Sequence, residues 1–335
     1  MEKIVILGGG VAGLSCLNAL LDRGISTLLI EGGRIGTPKI CGEFLAPPVV
    51  EQLQRWEIGP IQNIQQVHFY TQQKKFALNF PREAGAMARS EVELQLAKRA
   101  RTLQGRILEN TRIDKIIPAT EVTPHIFKLI DGHEITAQTA IIATGRLNQH
   151  SQNFKYRAIK FHWPEIREAE TLLMYSAQNA YAGLIPITNN MSNCACLAND
   201  KIDSTHALLQ RIFPAIDLAT TTMLEGCAPK FGRKKNPHWP HTYWIGDALA
   251  SFPPAIGFGF AHSILSAIHA ADFYQQNKFL AYQKSSLQII QTQLWLSQAW
   301  HYLLMRPHLG LPILSLLSHH QNMSRFFLRK LGYST

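Results

Sequence analysis

An uncharged apolar run, Ile4-Val5-Ile6-Leu7, breaks directly into Gly8-Gly9-Gly10-Val11-Ala12-Gly13 and then into Leu14-Ser15-Cys16-Leu17-Asn18-Ala19-Leu20-Leu21. No other stretch constrains the fold as tightly. The order reads as a buried strand, a tight turn and a helix. Gly8 allows the sharp turn, Gly10 removes a side chain where a pyrophosphate must come close, and Gly13 lets the helix pack hard on the strand. Backbone N–H groups at the helix start, around Val11 and Ala12, then face the phosphates, and the helix dipole favours their charge. A second apolar run, Thr27-Leu28-Leu29-Ile30, ends at Glu31, an acid placed to accept hydrogen bonds from a ribose hydroxyl. Strand, turn, helix, strand and acid in this register predict a dinucleotide site. Glu31 leaves FAD and NAD both open and disfavours NADP, whose 2′-phosphate would meet a carboxylate.

The chain has 335 residues and 46% hydrophobic content, enough for a large core and about two domains. It contains no uncharged apolar run of about twenty residues, so no spanning helix is expected. Met1-Glu2-Lys3 leads straight into a strand, which predicts no secretory leader and a cytoplasmic location. The five cysteines (Cys16, Cys41, Cys194, Cys196, Cys227) are scattered and odd in number, which predicts reduced thiols. Cys194 and Cys196 share one face of a strand and read as small core residues, not as metal ligands, so no metal site is expected. The net charge of +10 suits an anionic cofactor, an acidic partner or an anionic membrane face. No nucleic-acid module signature occurs, so nucleic acid is not an expected partner.

Further along, Val49 to Trp56 reads as a helix, and Val67 to Phe80 as a hairpin turning near Gln72-Gln73-Lys74-Lys75. Ser90 and Glu93 predict a capping box at the start of an apolar helix. Phe127 to Ile135 predicts a hairpin with Asp131-Gly132 at its turn. Thr139-Ala140-Ile141-Ile142 is a buried strand closing at Ala143-Thr144-Gly145. Arg157 to Asn199 is mostly extended, and Thr242-Tyr243-Trp244-Ile245 returns to a buried strand before Gly246-Asp247-Ala248. The expected architecture is α/β: a Rossmann-like nucleotide-binding domain, a mixed or antiparallel β-sheet substrate domain inserted into it, and a helical C-terminus. The expected boundaries are 1–66, 82–150 and 236–275 for the first, 67–81 and 151–235 for the second, and 276–335 for the third.

Three separated segments agree on one family: Gly8 to Gly13 with Glu31, then Ala143-Thr144-Gly145, then Gly246-Asp247-Ala248 with Pro253-Pro254 and Gly257-Phe258-Gly259. Together they resemble the FAD-dependent oxidoreductases of the geranylgeranyl reductase type, within the p-hydroxybenzoate hydroxylase-like flavoprotein monooxygenases. Lys39-Ile40-Cys41-Gly42-Glu43, Ala88-Arg89-Ser90 and Tyr181-Ala182-Gly183-Leu184-Ile185-Pro186 resemble further segments of that family. The similarity spans Met1 to about Tyr274. It departs from the pattern at Thr37, where the family often has arginine, and lacks the paired tryptophans of the halogenases.

The resemblance implies FAD as cofactor. Gly8, Gly10, Val11, Ala12 and Gly13 would hold the pyrophosphate; Glu31, Gly32 and Arg34 the adenosine side; Cys41 and Gly42 would lie near the ring system. Arg89 would reach the ribityl–pyrophosphate region. Thr144, Gly145, Gly246, Asp247 and Pro254 would line the flavin site, and Gly257, Phe258 and Gly259 would meet the pyrimidine edge. NAD(P)H enters only as a transient reductant, since no second nucleotide fingerprint occurs. The implied activity is an FAD-dependent monooxygenase hydroxylating an apolar or aromatic substrate through a flavin hydroperoxide. A reductase of carbon–carbon double bonds in an isoprenoid or lipid-like substrate, a hydroxylase of a side chain on an acidic partner protein, and a non-catalytic flavin-binding or electron-transfer protein are the alternatives. His162, Trp163, Tyr175 and Tyr181 are candidates for the substrate face, and no catalytic residue is assigned. The apolar, basic C-terminal region predicts a helix pair over the core or peripheral contact with a membrane.

Overall fold

The computed structural model describes residues 1–71, 74–146, 155–199, 205–213, 223–228 and 231–330. The chain opens with β1 (Glu2–Leu7), α1 (Val11–Leu21) and β2 (Leu28–Ile30). The short β3 (Phe44–Leu45), α2 (Pro47–Arg55), the long strands β4 (Gln62–Thr71) and β5 (Lys74–Ala86), and α3 (Arg89–Thr102) follow. Then come β6 (Arg106–Leu108), β7 (Ile113–Ile117), β8 (His125–Leu129) and β9 (Glu134–Ile142). The middle of the chain is β10 (Tyr156–Trp163), β11 (Thr171–Ala177), β12 (Ala180–Thr188), β13 (Met191–Asn199), α4 (Thr205–Ile212) and β14 (Met223–Ala228). The rest is β15 (Gly232–Arg233), β16 (Thr242–Trp244), β17 (Ala250–Ser251), α5 (Phe258–Gln275), α6 (Phe279–Leu304), α7 (Pro307–His319) and α8 (Gln321–Lys330).

Two sheets organise these elements. In the first, β6, β2, β1, β9 and β16 run parallel, and the β7–β8 hairpin pairs antiparallel with the start of β9. Strand β1 lies between β2 and β9, with Val5 opposite both Leu28 and Ala140. Ile4, Val5 and Ile6 are fully buried, which is why that run carries no charge. Strand β16 comes from the far end of the chain and pairs with the end of β9, Tyr243 opposite Ile141. The sequence expectation of a Rossmann-like layer closed by a distant strand holds.

The second sheet has the order β14-β10-β13-β12-β11-β4-β5-β3 and is antiparallel except where β11 meets β4. Side chains alternate across it. Ile159, Phe161, Trp163, Leu173, Leu184 and Cys194 pack on one face with Leu208, Leu209 and Phe213 around α4. Met174 and Tyr181 point to the other face, toward the first sheet. Cys194 and Cys196 are free thiols in the core, as expected. The expected β4–β5 turn falls on 72–73, outside the described residues.

The C-terminal helices lie over the second face. The Ser176 hydroxyl donates to Leu304 O at 2.6 Å, and Asn179 N–H donates to Met305 O at 2.9 Å, pinning the end of α6 to the β11–β12 turn. Trp300 stands edge-on to Phe69 (5.6 Å between ring centroids) and contacts Phe327 of α8 (5.0 Å). Trp300→Ala should therefore destabilise the chain by about 3–5 kcal/mol, the usual cost of emptying a buried aromatic site. Urea denaturation reads this directly, and a loss below about 1 kcal/mol would mean that α6 is not anchored through this ring.

Candidate functional site

The parallel strands deliver their C-terminal ends to one edge of the sheet, the edge where open α/β sheets bind ligands. Leu7 runs into Gly8, Ile142 into Ala143, and Trp244 into Ile245 and Gly246. A Cβ on Gly13 would overlap the Gly8 carbonyl oxygen, and one on Gly8 would lie 2.5 Å from the Ala143 oxygen. That close approach seats the start of α1 against the strand ends. Gly10 precedes the helix in extended conformation with no side-chain cap, and the first turn carries no acid. The N–H groups of this turn have no intrahelical partners, and Gly10, Val11 and Ala12 face a cavity. Arg89 stands over the same place, its Nη2 3.6 Å from where a Gly10 Cβ would sit. Helix end and guanidinium together form an anion site.

At the end of β2, the Glu31 carboxylate accepts the Gly9 and Gly33 N–H groups, the latter at 2.9 Å. Gly9, which the sequence reading passed over, is thereby part of the site. Gly32 follows Glu31, and Arg34 is exposed in a turn closed by the Thr37 hydroxyl at 2.6 Å. On the other side, Thr144 Oγ1 is buried with no partner among the described residues.

Asp247 lies in a 3-10 turn, Gly246–Ala248, with Arg146 Nε 3.3 Å from its Oδ2. Two side chains of α5 clamp the residue before it. Ser266 Oγ accepts the Gly246 N–H at 2.9 Å, and His262 Nε2 is 2.9 Å from Gly246 O. Burial pushes the His262 imidazole down, against the opposing pull of Asp247, so the neutral ring donates to that carbonyl. Neither His262 nor Ser266 was visible as a site residue in the sequence.

Gly257, left-handed at φ +62°, caps α5 with no side-chain hydrogen bond. A Cβ there would collide with the Phe44 ring. A second helix N-terminus thus opens on the cavity, where Pro254, Gly257 and Gly259 line the wall. Phe258 turns inward against Phe252, 5.1 Å between centroids. The cavity measures about 290 Å³. Phe69, Leu78, Met174 and Tyr181 of the second sheet form its apolar side, and Trp300, Phe327 and Leu328 of the C-terminal helices close it. Of the four substrate-face candidates, Tyr181 lines it, while Trp163 and Tyr175 pack on the opposite face of the sheet.

Cys41, Gly42 and Glu43 bring a loop to the wall. Glu43 Oε1 accepts the Arg89 N–H at 2.9 Å and pairs with the buried Lys160 ammonium, while Oε2 lies 3.2 Å from His162 Nε2. Burial alone would raise the Glu43 carboxyl, but the His162 hydrogen bond and the Lys160 charge outweigh it and hold it below the usual carboxylate range. Burial pushes the Cys41 thiol up, so it stays protonated. The expected capping box does not form. Helix α3 starts at Arg89, and the buried Glu93 carboxylate turns to Arg89 Nε (2.8 Å) and Lys39 Nζ (3.2 Å), two cations that outcompete a backbone N–H. Glu43, 46 positions away, caps the first N–H instead. Tyr181 and His301 form a second buried pair, O to Nδ1 3.1 Å. Burial drives His301 down to about 4, so Tyr181 donates to a neutral ring.

The arrangement fits an FAD. The open end of α1 with Arg89 suits a pyrophosphate, Thr144 offers an orphaned hydroxyl, and Cβ atoms on Gly42, Gly145 or Gly259 would meet nothing within 4 Å. Lys160→Met should cost about 3–5 kcal/mol at neutral pH, because it strands a buried carboxylate. The penalty should shrink as pH falls below the carboxylate range and Glu43 takes up a proton, and Glu43→Gln in the same chain should recover most of it. Thermal melts of the unmodified chain and the two variants against pH check this.

No family model and no curated protein matches the sequence. Solved structures do match its fold. A flavoprotein/dehydrogenase from Cytophaga hutchinsonii superposes with a TM-score of 0.81 at 14% identity, covering 99% of this chain and 92% of that one. PqsL of Pseudomonas aeruginosa, assigned as an FAD-dependent monooxygenase, gives 0.77 at 15%, covering 94% and 99%. A geranylgeranyl bacteriochlorophyll reductase-like protein from Thermoplasma acidophilum gives 0.76 at 17%, covering 98% and 95%. The chain therefore has the fold of these flavoproteins over nearly its whole length.

Proposed function

We propose that this chain is an FAD-dependent monooxygenase that hydroxylates a small apolar or aromatic substrate, with NAD(P)H as a transient electron donor. One observation carries the reading: two uncapped helix ends, α1 and α5, open on a single cavity whose walls from the second sheet and the C-terminal helices are apolar. The α1 N–H groups and Arg89 would hold the pyrophosphate. A carboxylate offers about four acceptor sites, so Glu31 retains capacity for a ribose hydroxyl beside its two backbone partners. Asp247, fixed through His262 and Ser266, would accept from the ribityl chain. When bound, the flavin supplies the redox chemistry with oxygen.

The rest falls to the protein's own side chains. Trp300, Phe327 and Leu328 exclude water from the cavity. Glu43 and the half-exposed His162 span from the cavity wall to the surface, with Oε2 and Nε2 3.2 Å apart. Tyr181, at the wall beside His301, favours a second reading: its hydroxyl, turned from His301, would give its proton to one carbon of a double bond while hydride from a bound reduced flavin reached the other, as a reductase requires.

The two readings part on oxygen. With NAD(P)H and a panel of apolar aromatic compounds under ¹⁸O₂, hydroxylation places label in the product with matched oxygen uptake. Unlabelled, saturated product formed without oxygen would favour the reductase. Asp247→Ala should weaken FAD binding by about 10- to 100-fold, the loss of one hydrogen bond to a charged group. Flavin fluorescence titration measures it.

A further inference from the structure

After Asp272 the sequence contains no acidic residue, yet it carries Lys278, Lys284, Arg306, Arg325, Arg329 and Lys330. The same segment exposes large apolar side chains in an ordered way. On α7, Leu309, Ile313 and Leu316 are spaced four and three residues apart and are 40%, 38% and 45% exposed, one stripe along the helix. On α8, Met323 and Phe326 are exposed beside Arg325, Arg329 and Lys330. The Arg306 guanidinium rides 3.9 Å over the exposed Tyr302 ring, and the Lys330 ammonium 5.5 Å over Phe326.

The opposite faces of these helices point inward. Leu314 and Leu317 of α7 are in the core, and Phe327 and Leu328 of α8 line the cavity. One helix thus has a cavity-facing side and an outward side that is apolar and basic. Among the described residues no helix is long and apolar enough to cross a membrane.

We propose that α7 and α8 dock on an anionic lipid bilayer surface, lying in its interface. Apolar residues flanked by cations and free of acids are what such a surface selects, since the cations meet lipid phosphates while the apolar stripe enters the acyl boundary. A second copy of the chain is the poorer occupant, because a two-fold contact would set this acid-free surface against itself. Docking there puts the cavity roof at the bilayer, so an apolar substrate enters without crossing water. This route rests on the proposed function; the docking itself needs no cofactor.

Vesicle flotation of the full chain tests it, using phosphatidylcholine alone and phosphatidylcholine with phosphatidylglycerol at roughly 4:1. The chain should float with the anionic vesicles at low salt, and partition at least about tenfold less on neutral ones or at high salt. Arg325→Glu with Arg329→Glu, and separately Ile313→Ser with Phe326→Ser, should each lower partition by about tenfold while the thermal melt stays put. Absence of flotation, flotation of both variant pairs undiminished from that of the unmodified chain, or a dimer in solution that the Ile313→Ser pair dissolves would overturn it. Because flotation is scored with or without FAD, its failure is separable from a failure to bind flavin.

Discussion

The backbone N–H groups at the starts of α1 and α5 have no side-chain cap, and both helix ends open on the same cavity. A buried donor left unpaired costs about 1–3 kcal/mol, so on the proposed reading the cofactor would satisfy both ends. The surrounding architecture follows from holding those ends in place. Gly13 against Gly8 sets α1 on the strand edge. Ser266 and His262 fix Gly246 from α5. Strand β16 returns from the far end of the chain to bring Asp247 opposite the first turn. Nothing in this set works alone, since each part lies at the end of a different strand of one parallel sheet.

The second sheet and the C-terminal helices supply the other half. They offer almost no polar surface to the cavity, so whatever lies opposite the strand ends is held by shape and by exclusion of water. The exceptions are few and paired. Tyr181 is bonded to His301, and Glu43 to Lys160 and His162. Buried charge is tolerated only with partners, and the Glu43 cluster also ties the loop before β3 to β10, near opposite ends of the second sheet, by an ion pair at the cavity wall.

Much of this was legible in the sequence because the nucleotide half is written locally. A glycine turn, an acid at a strand end and a left-handed glycine before a helix are backbone demands that few residues satisfy. Elements whose period was clear, such as the β8–β9 hairpin at Asp131-Gly132, were placed well. The capping box at Ser90 and Glu93 was not, because Glu93 answers to Lys39 across the fold instead of to its own helix. Lys160, His262, Ser266 and His301 act through partners brought together only by tertiary packing, Lys160 with a residue 117 positions away. The one visible trace was a lone charge inside the apolar strand Ala158-Ile159-Lys160-Phe161, which a buried strand does not carry without a partner.

The central claim is that the open end of α1 exists for a pyrophosphate. Titrating the flavin-free chain with FAD, FMN and riboflavin, followed by quenching of flavin fluorescence, tests it most directly. The account predicts one FAD per chain, bound far more tightly than either shorter flavin, which lacks the bridging diphosphate. Equal affinity for all three, or no saturable binding of FAD, would contradict it.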